Sequence, residues 1–177
     1  TGILTTAMKR GLLGENAKAE VTASMAELNK KAADILHNYT VHACTDVTGF
    51  GLIGHLSEVT VASSVNAELF ADAVPFFPEA ANLAAAGIIP GGTTNNLSYF
   101  SRHTNWGEEI SAITRAILCD AQTSGGLLVT VPAGETQRLL EELRDAGLLS
   151  AAHIGNCTAR GNGTISVKLH RSNVKMK

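Results

Sequence analysis

Cys44-Thr45-Asp46-Val47-Thr48-Gly49-Phe50-Gly51-Leu52-Ile53-Gly54-His55-Leu56 is the stretch whose reading decides the fold. Val41 to Thr48 alternates. Val41, Ala43, Thr45 and Val47 fall on one face, and His42, Cys44, Asp46 and Thr48 on the other, which is the period of a strand. Behind the glycines, Leu52, Ile53, Leu56 and Val59 recur at helical spacing as far as about Ala62. Gly49, Gly51 and Gly54 lie between the two patterns. A strand is therefore expected to enter a glycine-rich turn and leave it as a helix.

Such a turn has a definite chemistry. The first backbone N–H groups of a helix lack partners, and the helix dipole is positive there, so the end suits an anion such as phosphate. Asp46 at the strand end repels a bare phosphate. With Mg²⁺ between them the pair becomes favourable, because this ion takes carboxylate and phosphate oxygens together. Thr48 offers a hydroxyl to a phosphate or to the helix end. Two other readings stay open. Gly49-x-Gly51-x-x-Gly54 also fits a dinucleotide fingerprint, with Glu68 or Asp72 near the acidic position. The turn also makes sense as close packing without a ligand. The row His42, Cys44, Asp46 suggests zinc, but neighbours on one strand face start roughly 6.5 Å apart and reach a common ion poorly. His55 reads as a packed or surface side chain inside the helix.

Outward from this centre the elements are mixed. A helix is expected over Thr22–His37, with Met25, Leu28, Ala32, Ile35 and Leu36 on one face, Ser24 and Glu27 as a capping box, and Glu27 paired with Lys31. Ala67–Val74 reads as a strand and Glu79–Ala86 as a short helix stopped by Gly87. Pro90 to Asn96 reads as a turn-rich loop, and Ser98 to Trp106 shows no clear period. Glu108–Leu118 and Glu135–Ala146 read as helices, the second stopped by Gly147. Asp120 to Gly126 reads as a turn into the buried strand Leu127–Val131. Residues 153–160 and 164–169, flanking Gly161-Asn162-Gly163, read as a terminal hairpin, followed by a basic tail over 171–177. Thr1–Ala7 reads as a short strand or entry segment. The sum is an α+β domain, a largely antiparallel sheet covered by helices.

Composition narrows the function. The 177 residues are 45% hydrophobic, enough for a core, but only 5% aromatic, so Leu, Ile, Val and Ala must fill it. A net charge of −2 and no Lys/Arg stripe argue against a nucleic-acid partner. No apolar run suits a bilayer or a signal peptide. Cys44, Cys119 and Cys157 are odd in number and far apart, which argues against a disulfide framework and fits a reducing cytoplasm.

The stretch from Ala43 to Leu56 resembles a signature of the selenophosphate synthetase (selenide, water dikinase) family. Thr1 to Ala7, Pro90 to Thr93 and Asp120 to Leu128 resemble the same family in the same order, although the family usually carries Pro where this chain has Ala121. The resemblance implies the C-terminal α+β domain of the aminoimidazole-ribonucleotide-synthetase-like superfamily. Residues 1–20 would be an interdomain segment and 21–170 the domain, with the catalytic N-terminal domain outside this chain. It implies ATP-dependent formation of selenophosphate from selenide and water, with AMP and phosphate released. Mg²⁺ is the implied cofactor, ATP and selenide the ligands of the whole protein, and a homodimer its assembly. Asp46 matches a metal-ligand position, and Thr48 and Gly49 would lie near the phosphates. The family's nucleophilic Cys or selenocysteine and its catalytic Lys belong to the N-terminal domain, so no catalytic residue is expected here and the isolated chain should be inactive. The alternatives are a non-catalytic dimerisation or regulatory domain of the same fold, or another ATP-dependent synthetase or kinase of the superfamily.

Overall fold

A computed structural model describes residues 1–170; the basic tail expected over 171–177 lies outside the described residues. In chain order the elements are α1 (Gly2–Lys9), α2 (Glu15–Ala26), α3 (Lys30–Leu36), β1 (Ala43–Asp46), α4 (Gly51–Ser63), β2 (Val65–Phe70), α5 (Pro78–Ala85), α6 (Gly91–Phe100), β3 (Thr104–Trp106), α7 (Ala112–Leu118), β4 (Leu127–Thr130), α8 (Thr136–Asp145), β5 (Gly155–Arg160) and β6 (Ile165–Lys168). The α+β class stands. β1 and β4 form a two-stranded antiparallel ribbon, and the larger sheet has the order β3-β6-β2-β5. Its pairing is more mixed than expected: β2 runs antiparallel to β5, whereas β6 is parallel to both β2 and β3.

Two apolar clusters hold these layers. On one side, α4 packs on β2 and β6, and Ile53, Leu69, Ile165 and Val167 are shut off from solvent. On the other, Ile3, Leu4 and Ala7 of α1 meet Val21 of α2 and Ala80 and Ala84 of α5. Small residues at these positions let the helices approach closely. α1 and α2 thus pack into the second cluster, and Gly2–Ala7 is helical where a short strand or entry segment was expected.

Three further expectations need correction. The single helix over Thr22–His37 is two helices, because Glu27 turns extended (ψ 129°) and the Asn29 amide donates to the Gly125 carbonyl at 2.9 Å. Ser24 therefore lies near the end of α2 instead of capping a start, and Lys30 pairs with Asp34. Pro90 to Asn96 is not a loop but the start of α6, with Pro90 before the first turn. The terminal hairpin is also absent, since β2 lies between β5 and β6. The crossing is made by Gly161 to Thr164 over the head of β2. Gly161 N–H donates to the Ser64 carbonyl at 3.0 Å, and Thr164 N–H donates to Asn66 Oδ1 at 3.0 Å. A Cβ on Gly161 would overlap the end of the Asn66 side chain and push it off its bond to Thr164. Among the described residues no helix is long and apolar enough to cross a membrane.

Candidate functional site

β1 positions Asp46. Its register with β4 sets Asp46 opposite Leu127 and Cys44 opposite Val129. Strand alternation leaves Cys44 and Asp46 on the exposed face and sets Ala43 and Thr45 half-buried behind them. Past the strand, Val47 N–H donates to the Gly126 carbonyl at 2.9 Å, and the Thr48 carbonyl accepts from Gln122 N–H and Gly51 N–H, both at 3.0 Å. The backbone beside Asp46 is thus strapped to the turn after Asp120. None of the ion pairs among the described residues involves Asp46.

The three glycines divide their work. Gly51 has φ +70°, and a Cβ there would lie 2.7 Å from the Cys119 carbonyl and 2.9 Å from that of Asp120. Gly54 lets α4 sit against Phe100. These two are packing positions. Gly49 has nothing within 4 Å of a Cβ, so its surroundings are open. Its carbonyl is fixed by Asn96 Nδ2 at 2.9 Å. The first turn of α4 carries no acidic residue and no side-chain cap, and its Gly51 N–H is taken by the Thr48 carbonyl. Thr48 does not cap the helix; its hydroxyl lies 3.2 Å from His55 Nε2. The dinucleotide alternative fails on topology. β1 and β2, which flank α4, belong to different sheets, so no parallel βαβ unit forms. Glu68 is paired with Lys168 at 2.7 Å, and Asp72 accepts from the His170 N–H at 2.6 Å.

Asp120 is the centre that the sequence left hidden. It is 3% exposed. Its carboxylate accepts from the Thr93 hydroxyl at 2.6 Å, Ile3 N–H at 3.1 Å and the Thr1 nitrogen at 3.2 Å, with Gln122 Nε2 at 3.4 Å. Gly2 N–H reaches the Ala121 carbonyl at 2.9 Å, and Asn96 Nδ2 reaches the Cys119 carbonyl at 3.1 Å. A buried carboxylate is tolerable only when several donors replace water. The four stretches singled out in the sequence thus meet here, although they are spread from Thr1 to Leu128. The signal for Asp120 was its place in one of those stretches; burial with donors from α1 and α6 is a tertiary fact.

The three cysteines are free thiols. Burial, and secondarily the charge of Asp46, push the Cys44 thiol up; burial alone raises Cys157 and takes Cys119 to about 12. All three shifts oppose the thiolate, which is the nucleophilic form. Among the described residues no three His, Cys, Asp or Glu side chains group closely enough to hold a metal ion, so Asp46 stands as a single carboxylate at an open rim.

Residues 1–168 match the family described as AIR synthase related protein, C-terminal domain. A selenide, water dikinase of Pelobacter propionicus is 43% identical over 155 residues, covering 88% of this chain and 44% of the relative. Those of Aliarcobacter butzleri and Carboxydothermus hydrogenoformans are 39% and 40% identical, each covering 94% of this chain and 48% of the relative. The chain therefore spans about half the length of the curated relatives it matches. In shape it is similar to the crystal structure of hydrogenase maturation protein HypE, with a TM-score of 0.59 at 18% identity over 93% of this chain and 44% of that one. At that identity the likeness speaks for the fold alone.

Proposed function

The chain belongs to the AIR synthase related protein, C-terminal domain family, and from that premise we propose that it is the C-terminal half of an enzyme that makes selenophosphate. The reaction is ATP, selenide and water to selenophosphate, AMP and phosphate, in the cytoplasm, by a homodimer of two-domain subunits. Residues 1–20 would lead in from the N-terminal domain, which carries the nucleophile and the catalytic Lys. The observation that carries the reading is the meeting of the four family-like stretches around Asp120, with Asp46 exposed beside them and in no ion pair among the described residues.

The residues present fit Mg²⁺ as a shared ion. One exposed carboxylate beside an open backbone suits a cation that is held by one or two carboxylates plus substrate phosphates. When bound, the ion offsets the phosphate charge that resists phosphoryl transfer. Asp46 would hold it from this side. Gly49 admits a phosphate close to the backbone, and the positive end of the α4 dipole favours negative charge there. Thr48 lies next to that charge. Rigid strapping of Val47 and Thr48 to the Asp120 turn keeps these groups aimed before substrate arrives.

This division of labour is tested by assaying AMP release from Mg-ATP with and without selenide. The purified chain is expected to give none, and the two-domain protein to give selenide-dependent AMP. Selenide-dependent turnover by the isolated chain would refute it.

A further inference from the structure

Gln122 lies in the turn after Asp120 and reaches two segments that are far apart in the chain. Its side-chain Oε1 accepts from the Thr1 nitrogen at 2.8 Å. Its backbone N–H donates to the Thr48 carbonyl at 3.0 Å. Its Nε2 donates to the Asp120 carbonyl at 2.8 Å. That last bond fixes the side chain: a carbonyl only accepts, so Nε2 faces Asp120 and Oε1 is left for Thr1.

The fit is close on both sides of the turn. A Cβ on Gly2 would lie 2.6 Å from the Ala121 carbonyl oxygen, and one on Gly125 would overlap the Val47 carbonyl. Thr123 N–H donates to the Thr1 hydroxyl at 2.8 Å. The turn is therefore a spacer of fixed width between the start of α1 and the backbone beside Asp46. Where Thr1 continues from a preceding domain, its nitrogen is a peptide N–H with one hydrogen. The shorter of its two contacts is the one to Gln122; the other, to Asp120 Oδ2, is 3.2 Å. Ile3 N–H and the Thr93 hydroxyl still serve the Asp120 carboxylate. The Gln122 amide then holds the chain just before α1.

We infer that Gln122 is a positioning residue for the reaction. Its side chain holds the chain entering from the N-terminal domain while its N–H holds the glycine corner, so one residue sets how the catalytic groups of that domain stand to Asp46. The inference rests on the proposed function for that domain and its reaction; the bridge itself belongs to this chain. Groups delivered from two domains must meet closely, and a misplacement of about 1 Å costs on the order of 10²-fold in rate. Slack at the junction therefore lowers kcat.

Side chain and backbone can be tested apart. Gln122→Met keeps the side-chain length and the N–H to Thr48, and removes both side-chain bonds. In the two-domain protein, hydrogen exchange read residue by residue by mass spectrometry should find the Thr1 and Gln122 amides both protected. In Gln122→Met the Thr1 amide should exchange about tenfold faster and the Gln122 amide at its former rate. The kcat for selenide-dependent AMP release should fall about tenfold, with Tm within about 4 °C of wild type. Equal exchange of the Thr1 amide in wild type and variant overturns the bridge. Faster exchange of both amides makes Gln122 a support of the turn alone and overturns the positioning role, as does an unchanged kcat with the Thr1 amide freed. Wild type without selenide-dependent AMP release refutes the proposed function and the reaction assigned here, while the exchange rates still decide the bridge.

Discussion

Gly51→Ala tests how the glycine corner is built, and Gly49→Ala is its internal control. At Gly51 an Ala would have to hold φ +70°, a left-handed conformation that costs an L residue about 1–2 kcal/mol. Its Cβ would also lie 2.7 Å from the carbonyl carbon and oxygen of Cys119, which are backbone atoms. They cannot swing aside, because Asn96 holds that carbonyl and Asp120 fixes the next residue. Overpacking of this kind adds about 1–3 kcal/mol. The sum is about 3 kcal/mol. For a chain of this size each kcal/mol lowers Tm by roughly 2–4 °C, so the expected fall is about 6–12 °C. Gly49 has no positive φ and no atom within 4 Å, so Gly49→Ala should stay within about 0.5 kcal/mol of wild type. Thermal unfolding followed by circular dichroism compares the two directly. An unchanged Tm for Gly51→Ala, or equal losses for both, would refute the division into a packing glycine and an open one.

Other outcomes follow from the same contacts. Thr93→Val removes a buried 2.6 Å hydrogen bond to the Asp120 carboxylate, which should cost about 2 kcal/mol and lower the urea midpoint; an unchanged midpoint would remove Asp120 from its central place. Asp46→Asn removes the secondary cause of the raised Cys44 pKa, so at pH 8 Cys44 should react faster with a thiol reagent while Cys157 keeps its rate, both read by peptide mass spectrometry. Cys119 ties stability to alkaline pH. Its thiol ionises near the ordinary 9.0 when unfolded and at about 12 when folded, so between these values the unfolded chain binds fewer protons and stability falls as pH rises. The slope from this group approaches about 1.4 kcal/mol per pH unit, and Cys119→Ala should flatten the measured curve by that share.

Periodicity read well around the glycine corner. The alternation before Gly49 and the Leu52–Ile53–Leu56 spacing of α4 both predicted the right element. α6 was missed for a physical reason. The positions it buries are Thr93, Asn96 and Phe100, at helical spacing but mostly polar, because they serve Asp120 and the Gly49 carbonyl. Gly91-Gly92 and Asn95-Asn96 add low helix propensity, which tertiary packing overrides. α1 is too short for a period to show. The β5–β6 hairpin failed differently. Alternation marks a strand but not its partner, and the crossing over β2 rests on Asn66 and Gly161, whose joint role is invisible until the strands are placed. Within the candidate site, the exposure of Asp46 was legible, because strand alternation turns it outward at the strand end. Asp120 was not, because nothing local says that a carboxylate will be buried among donors from α1 and α6.

The decisive measurement is ³¹P NMR of selenophosphate and AMP formed from Mg-ATP and selenide by the two-domain protein and its Asp46→Asn variant. Wild type is expected to form both products, and the variant to lose their formation with its Tm unchanged. Full product formation by the variant would contradict the metal-side role of Asp46, and no selenide-dependent product from wild type would contradict the proposed reaction.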